Sequence, residues 1–357
     1  MSTTATRPSA PTPAPARDLT GKTLPRLAPV YSAVAAVVAA VVLNLTTGVQ
    51  GVAGTVVVAV LLFVVGQTGW SFAVEGKRHA VDRLATTLIY ATFVAAFAAL
   101  VAILTVTIIK GLAALDLSFM TDTMRNVSPR REGGGIAHAL VGTLEQVLIA
   151  AIIAVPIGIL TAVYLVEYAA ANRLSKAISF FVDVMTGIPS IIAGLFIYTF
   201  WVLTLGFERS GFAASLALTI LMIPTVVRTT EEMLRIVPND LREASLALGI
   251  PKWKTIIKIV IPTALGGIIT GVMLAVARVA GETAPLLLTT FLSQSMNWNP
   301  FAGPQASLPT FVWDQIASGT NASLDRAWAG ALVLILLVMI LYLGARIVAR
   351  LFAPKTS

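Results

Sequence analysis

Arg278 and Glu282 stand four residues apart in A-R-V-A-G-E-T-A-P-L-L, residues 277–287, inside a run that is otherwise apolar. On a continuous helix that spacing puts both side chains on one face. A charge at the centre of a bilayer costs from about 3 to above 10 kcal/mol, so such a residue normally turns toward a partner or a water-filled cavity. The guanidinium is always charged and presents a fork of donors, which suits an oxyanion such as phosphate or sulfate. Glu282 would hold Arg278 while no anion is bound and keep anion binding weak enough for release. Gly281 and Pro285 can open the helix, and Thr283 adds a hydroxyl. The alternative is a bundle-internal ion pair that only fixes packing.

Other polar residues in apolar surroundings divide the same way. Arg228, in P-T-V-V-R-T-T-E-E, falls near the end of a span, either at the inner mouth of an anion path or as an anchor paired with Glu231 or Glu232. Asp183 precedes Pro189 by six residues, and Pro189 and Ser190 in T-G-I-P-S could break a helix and leave polar groups beside the path. Glu145 is read as a snorkelling or packing residue, and His79 and His138 as isolated, solvated loop residues with no metal constellation. Gly21-Lys22-Thr23 imitates the end of a phosphate-binding loop, but the required first glycine would fall at Ala16. Catalytic residues and metal ligands are therefore expected to be absent, since no Ser-His-Asp set, H-E-x-x-H or paired carboxylates occur.

A second stretch offers docking rather than chemistry. N-D-L-R-E-A-S-L-A-L-G-I-P-K-W-K-T-I-I-K-I-V-I-P runs from Asn239 to Pro262 and is polar and amphipathic. Asp240 with Glu243 three residues on has the spacing of a capping box. Leu241, Ala244, Ser245 and Leu248 then share a face, and Gly249 followed by Pro251 stops the helix. Small residues there let another surface approach the backbone, and the two leucines offer apolar knobs. The bland alternative is an interfacial linker helix between two spans.

These residues need helices that cross a membrane to position them. The 357-residue chain is 57% hydrophobic and 12% charged, with mean hydropathy +0.87, against about 25% charge in soluble domains. It has no cysteine, which excludes disulfides and thiolate chemistry. Apolar runs at 28–46, 53–73, 85–109, 140–167, 178–205, 212–229, 265–292 and 327–352 predict eight spanning helices and an all-α, polytopic bundle. With the N-terminus inside, eighteen of the 25 Lys and Arg lie on the inner side, six on the outer, and Arg278 within a span. This bias places both termini and the 239–262 stretch in the cytoplasm and accounts for the net charge of +8 without nucleic acid. Residues 1–27 read as a disordered, retained cytoplasmic tail, and 28–73 as a charge-free peripheral hairpin facing membrane lipid.

The spacing E-A-S-x3-G-x9-I-x-I-P, from Glu243 through Gly249 and Ile259 to Pro262, resembles the coupling loop of ABC-importer permeases, with Ser245 and Ile261 as mild departures. Together with E-G-G-G-I-A-H-A-L (132–140), P-S-I-I-A-G-L-F-I-Y-T (189–199), R-T-T-E-E-M-L (228–234) and A-R-V-A-G-E-T-A-P-L-L, it is similar to A-type permease subunits of phosphate-specific ABC importers. The resemblance covers 85–352 and implies a type I permease core of six spans with a cytoplasmic coupling loop at 231–262; the hairpin at 28–73 is a departure. It also implies a heterodimer with a C-type permease subunit, two cytoplasmic ATPase subunits that carry ATP and Mg, and an extracytoplasmic phosphate-binding protein, in a prokaryotic plasma membrane. The chain itself would hold no cofactor. It points to Arg278, Glu282 and Arg228 as charged pathway positions. The rivals are a permease for another oxyanion such as sulfate or phosphonate, and an ion-coupled secondary transporter.

Overall fold

Helix breakers set where several elements of this chain end. The computed structural model describes residues 23–47, 51–169 and 172–352, and among them every regular element is helical. The expected tail lies outside the described residues as far as residue 22. By its internal contacts the chain divides into two units, between Ile103 and Leu104.

In the first unit α1 (Ala28–Thr47) packs on α2 (Val52–Glu75). Polar bonds join the two: Ser32 Oγ donates to Gln67 Oε1 at 2.6 Å, and Asn44 Nδ2 to Thr55 Oγ1 at 2.7 Å. At the end of α2, Glu75 accepts from the Leu24 amide at 2.7 Å and from Arg83 at 2.6 and 2.7 Å. Gly76, at φ +87°, ends α2 and links it to α3 (Lys77–Ala114). The basic segment expected as a loop at 74–84 is therefore mostly helix, because no proline or glycine follows Gly76 until Gly111.

In the second unit α3 ends and is followed by α4 (Leu117–Thr121), α5 (Ala137–Val163, continued by a π turn over Tyr164–Tyr168), α6 (Arg173–Gly187) and α7 (Ser190–Ile197, continued by a π turn over Tyr198–Thr204). Asp116 caps α4, its carboxylate accepting from the Phe119 amide at 2.6 Å, which holds it below the ordinary aspartate range. Next come α8 (Gly211–Ile236), α9 (Asn239–Ala247), α10 (Lys252–Thr255), α11 (Ile261–Ala280), α12 (Ala284–Thr289), α13 (Leu308–Ser318) and α14 (Asn321–Phe352). The axis of this unit is α8, whose neighbours are α5, α6, α7, α11 and α12. Glycines bring them close: a Cβ on Gly158 would stand 2.6 Å from Val226, and one on Gly271 2.4 Å from Thr229. Ala150, Ala154, Leu218, Met222, Val226, Ala275 and Val279 fill the space between.

Among the described residues seven helices are long and apolar enough to cross a membrane, or eight if α6 and α7 form one broken span. The break anticipated at Pro189 and Ser190 within the 178–205 run is present: α6 and α7 meet at 106° where Pro189 follows Ile188. The span expected at 265–292 is shifted. It runs continuously from Lys252 to Ala280. A π turn over Ile256–Val260 leads into α11, and Pro262, which has no N–H to donate, sits just past that turn. On the far side, Arg326, 5% exposed and expected in a loop, lies in α14 and donates to Gln315 Oε1 at 2.8 Å and to the Arg131 and Pro129 carbonyls at 2.8 and 3.0 Å.

Candidate functional site

Arg278 occupies the last turn of α11. The Gly281 amide donates to the Arg278 carbonyl at 3.3 Å and the Glu282 amide to that of Val279 at 3.1 Å, closing the helix before Glu282. The expectation that Arg278 and Glu282 share a helix face is thus overturned, because Gly281 ends α11 between them, and no ion pair joins them among the described residues. Arg278 is exposed, donates to Thr225 Oγ1 of α8 at 3.4 Å, and has no carboxylate within ion-pair distance among the described residues. Glu282 and Thr283, both half-buried, form the link to α12.

Thr225 and Arg228 are three apart on one face of α8, so both arginines address the same stripe. Their surroundings differ. Arg228 donates to Glu231 at 2.6 Å, to the Ser179 carbonyl at 3.1 Å and to Asp183, while Arg235 closes on the other Glu231 oxygen. Arg228 thus has the expected partnership with Glu231, and Asp183 ties α6 to it. Ser190, half-buried, opens α7 just after the break. Its helix lies tightly on α12: a Cβ on Gly194 would stand 2.5 Å from Pro285 Cα. The two discontinuous elements that bear Ser190 and Thr283 are therefore packed together.

One further expectation changes, that for His138. His138 is buried in the first turn of α5 at 5.9 Å from the Phe311 ring, not solvated in a loop. Glu145, half-buried, has the packing role expected of it: it accepts from Gln305, which is itself buried between Gln146 of α5 and Thr290 at the end of α12. His79 is exposed, and no group of three or more His, Cys, Asp or Glu that could hold a metal occurs among the described residues.

The docking helix α9 begins at Asn239 behind Pro238, whose fixed φ of −59° starts it earlier than the capping box required. Asp240 lies inside the first turn and caps nothing, though its charge there still complements the helix dipole. Ser245 is the other correction. It is 3% exposed, with Oγ 2.8 Å from Thr255 Oγ1, and pins α9 to α10 instead of joining the open face. That face consists of Leu241, Ala244 and Leu248, the last 80% exposed, with Glu243, Leu246 and Trp253 also exposed. Gly249, at φ +75°, ends the helix in a Schellman turn: its amide donates to Leu246 at 2.9 Å and that of Ile250 to Ser245 at 3.2 Å. Pro262 is exposed on the span that follows.

Sequence reasoning missed Arg242 and Glu167. Arg242 donates to Glu167 Oε1 at 2.7 and 3.0 Å and to the Leu234 and Val237 carbonyls at 2.9 and 2.6 Å. One side chain thereby fastens α9 to the ends of both α5 and α8. The available signal was a lone acid ending an apolar run and a lone arginine in the docking helix, both assigned to the same side.

A helical membrane protein with broken elements along a cationic stripe, and with an amphipathic helix outside the spans, has the architecture of a type I ABC-importer permease. A structure of the MetNI methionine ABC transporter in an inward-facing conformation shares this fold, with TM-score 0.52 and 22% identity over 67% of this chain and all of that one. The chain belongs to the family of binding-protein-dependent transport system inner membrane components, whose profile matches residues 154–357. It is 47% identical over 273 residues to "Phosphate transport system permease protein PstA 1" of Mycobacterium tuberculosis (strain CDC 1551 / Oshkosh), covering 76% of this chain and 90% of that protein. It is 44% identical over 238 residues to "Phosphate transport system permease protein PstA" of Xylella fastidiosa (strain Temecula1 / ATCC 700964), 66% of this chain and 81% of that one.

Proposed function

We propose that this permease is one half of the membrane channel of an ATP-driven importer that carries inorganic phosphate into the cell. The observation that carries the reading is Arg278, a permanent cation within a span, exposed and with no carboxylate partner among the described residues. Such a group is stable there only beside water, an anion or a partner subunit. The relatives' names select phosphate over sulfate or phosphonate.

In this reading the core at 85–352 conducts, with Arg278, Glu282, Thr283 and Ser190 along the path and Arg228 at its inner mouth. A C-type permease forms the other half, and a phosphate-binding protein delivers the anion from outside. Two ATPase subunits, which carry ATP and Mg, receive the Leu241, Glu243, Ala244 and Leu248 face of α9. Both termini and α9 are cytoplasmic, as the Lys and Arg bias favours. Closure of the ATPase pair moves α9, and the Arg242–Glu167 and Ser245–Thr255 contacts carry that movement into α5, α8 and α11. In proteoliposomes containing the assembled complex, Arg278→Ala is expected to lower phosphate uptake at least ten-fold with the affinity for the binding protein unchanged. Normal uptake by this variant would make Arg278 a structural residue.

A further inference from the structure

We propose that Arg209 is a receiving site for inorganic phosphate at the end of the bundle remote from α9; this deepens, and rests on, the phosphate-importer reading. Arg209 lies in the link just before α8. Its guanidinium carbon stands 4.7 Å from the centre of the Tyr198 ring and 4.3 Å from that of Phe291, and Nη2 donates to the Tyr198 hydroxyl at 2.9 Å. The planar cation is held against two aromatic rings. Phe291 supplies its ring from a left-handed backbone, φ +61°, which bulky residues rarely adopt and which persists only where the surroundings impose it. The Ser210 amide fixes the link to α12 by donating to the Thr289 carbonyl at 3.2 Å.

Aromatic rings stabilise the faces of a guanidinium but leave its in-plane donors unused. Of five N–H groups, the Tyr198 hydroxyl takes one, and no carboxylate lies within ion-pair distance among the described residues, although Glu208 is the preceding residue. Arg209 is half-buried, and a guanidinium with donors left over from a single hydrogen bond among the described residues is suited to take two oxygens of a tetrahedral oxyanion. Its position agrees. Tyr198 continues α7, which starts at Ser190, and Phe291 follows α12, which starts just after Thr283. Arg209 thus joins the far ends of the two packed, discontinuous helices whose near ends carry the proposed path residues. Arg228 stands seventeen residues into α8 from Gly211, about 26 Å along its axis at 1.5 Å per residue. An anion arriving from outside would meet Arg209 first and Arg228 last.

The chain has no cysteine, so Arg209→Cys carries its one thiol. In proteoliposomes of the complete complex, Arg209→Gln and Arg209→Cys are expected to lower uptake of labelled phosphate at least ten-fold with the affinity for the binding protein within two-fold of wild type. Attaching a cationic aminoethyl group to the Arg209→Cys thiol from outside should recover several-fold of the loss, whereas an anionic sulfonatoethyl group should not. Wild-type uptake by Arg209→Gln overturns the inference. So does a parallel loss of binding-protein affinity, which would make Arg209 a contact for an acidic protein surface, and so does equal recovery with either reagent, which would mark a packing role. A wild-type complex that takes up no phosphate overturns the importer reading itself and this inference with it, and is thereby distinguished from failure at Arg209 alone.

Discussion

Arg228 and Arg278 reach the same stripe of α8 but do different work there. Glu231 is buried and shares its two oxygens between Arg228 and Arg235. Removing Arg228 strands much of that carboxylate's charge, so Arg228→Ala is expected to destabilise the complex by about 1–3 kcal/mol, read as a lower thermal midpoint in detergent. Arg278 compensates no carboxylate among the described residues, so Arg278→Ala should leave the midpoint nearly unchanged, within about 0.5 kcal/mol, while abolishing most uptake. Equal midpoints for the two variants would contradict this division. The cost of burying charge made both arginines legible in the sequence. The pairing was not, because it depended on where α11 stops: a four-residue spacing means a shared face only if the helix continues, and Gly281 ends it before Glu282.

At the level of elements, α9 is useful to a motor only if it is stiff and firmly attached. Among its attachments are the Arg242–Glu167 pair and the Ser245–Thr255 contact. Arg242→Ala leaves Glu167 buried without its cation, and is expected to lower phosphate uptake several-fold while ATP hydrolysis by the complex persists; transport and hydrolysis falling in strict proportion would argue against a transmitting role. Gly249→Ala forces a side chain into the left-handed region at a cost of about 1 kcal/mol, and should loosen the end of α9, measured as faster amide exchange over 245–250. Apolar runs located most spans, since length and hydropathy are local properties. Their ends were less visible. The start of α3 at Lys77 and of the 252–280 span at Lys252 lie in charged sequence, and the burial of Ser245 depends on Thr255 folding back against it.

On the scale of the whole molecule, we propose that this family member, assembled with its partners, uses ATP to move phosphate inward through the path marked by Arg278. The core at 85–352 would carry that task without the added hairpin, and deletion of residues 1–73 is expected to leave at least half of the uptake in a complex that still assembles, measured in the same vesicles. The most direct test of the central claim is uptake of radiolabelled phosphate into proteoliposomes holding the purified complex with its binding protein and ATP, with excess sulfate as competitor and vanadate as inhibitor. An ATP-driven phosphate importer gives uptake that requires ATP, stops with vanadate and resists sulfate; uptake driven by an ion gradient without ATP, or displaced by sulfate, would contradict that function.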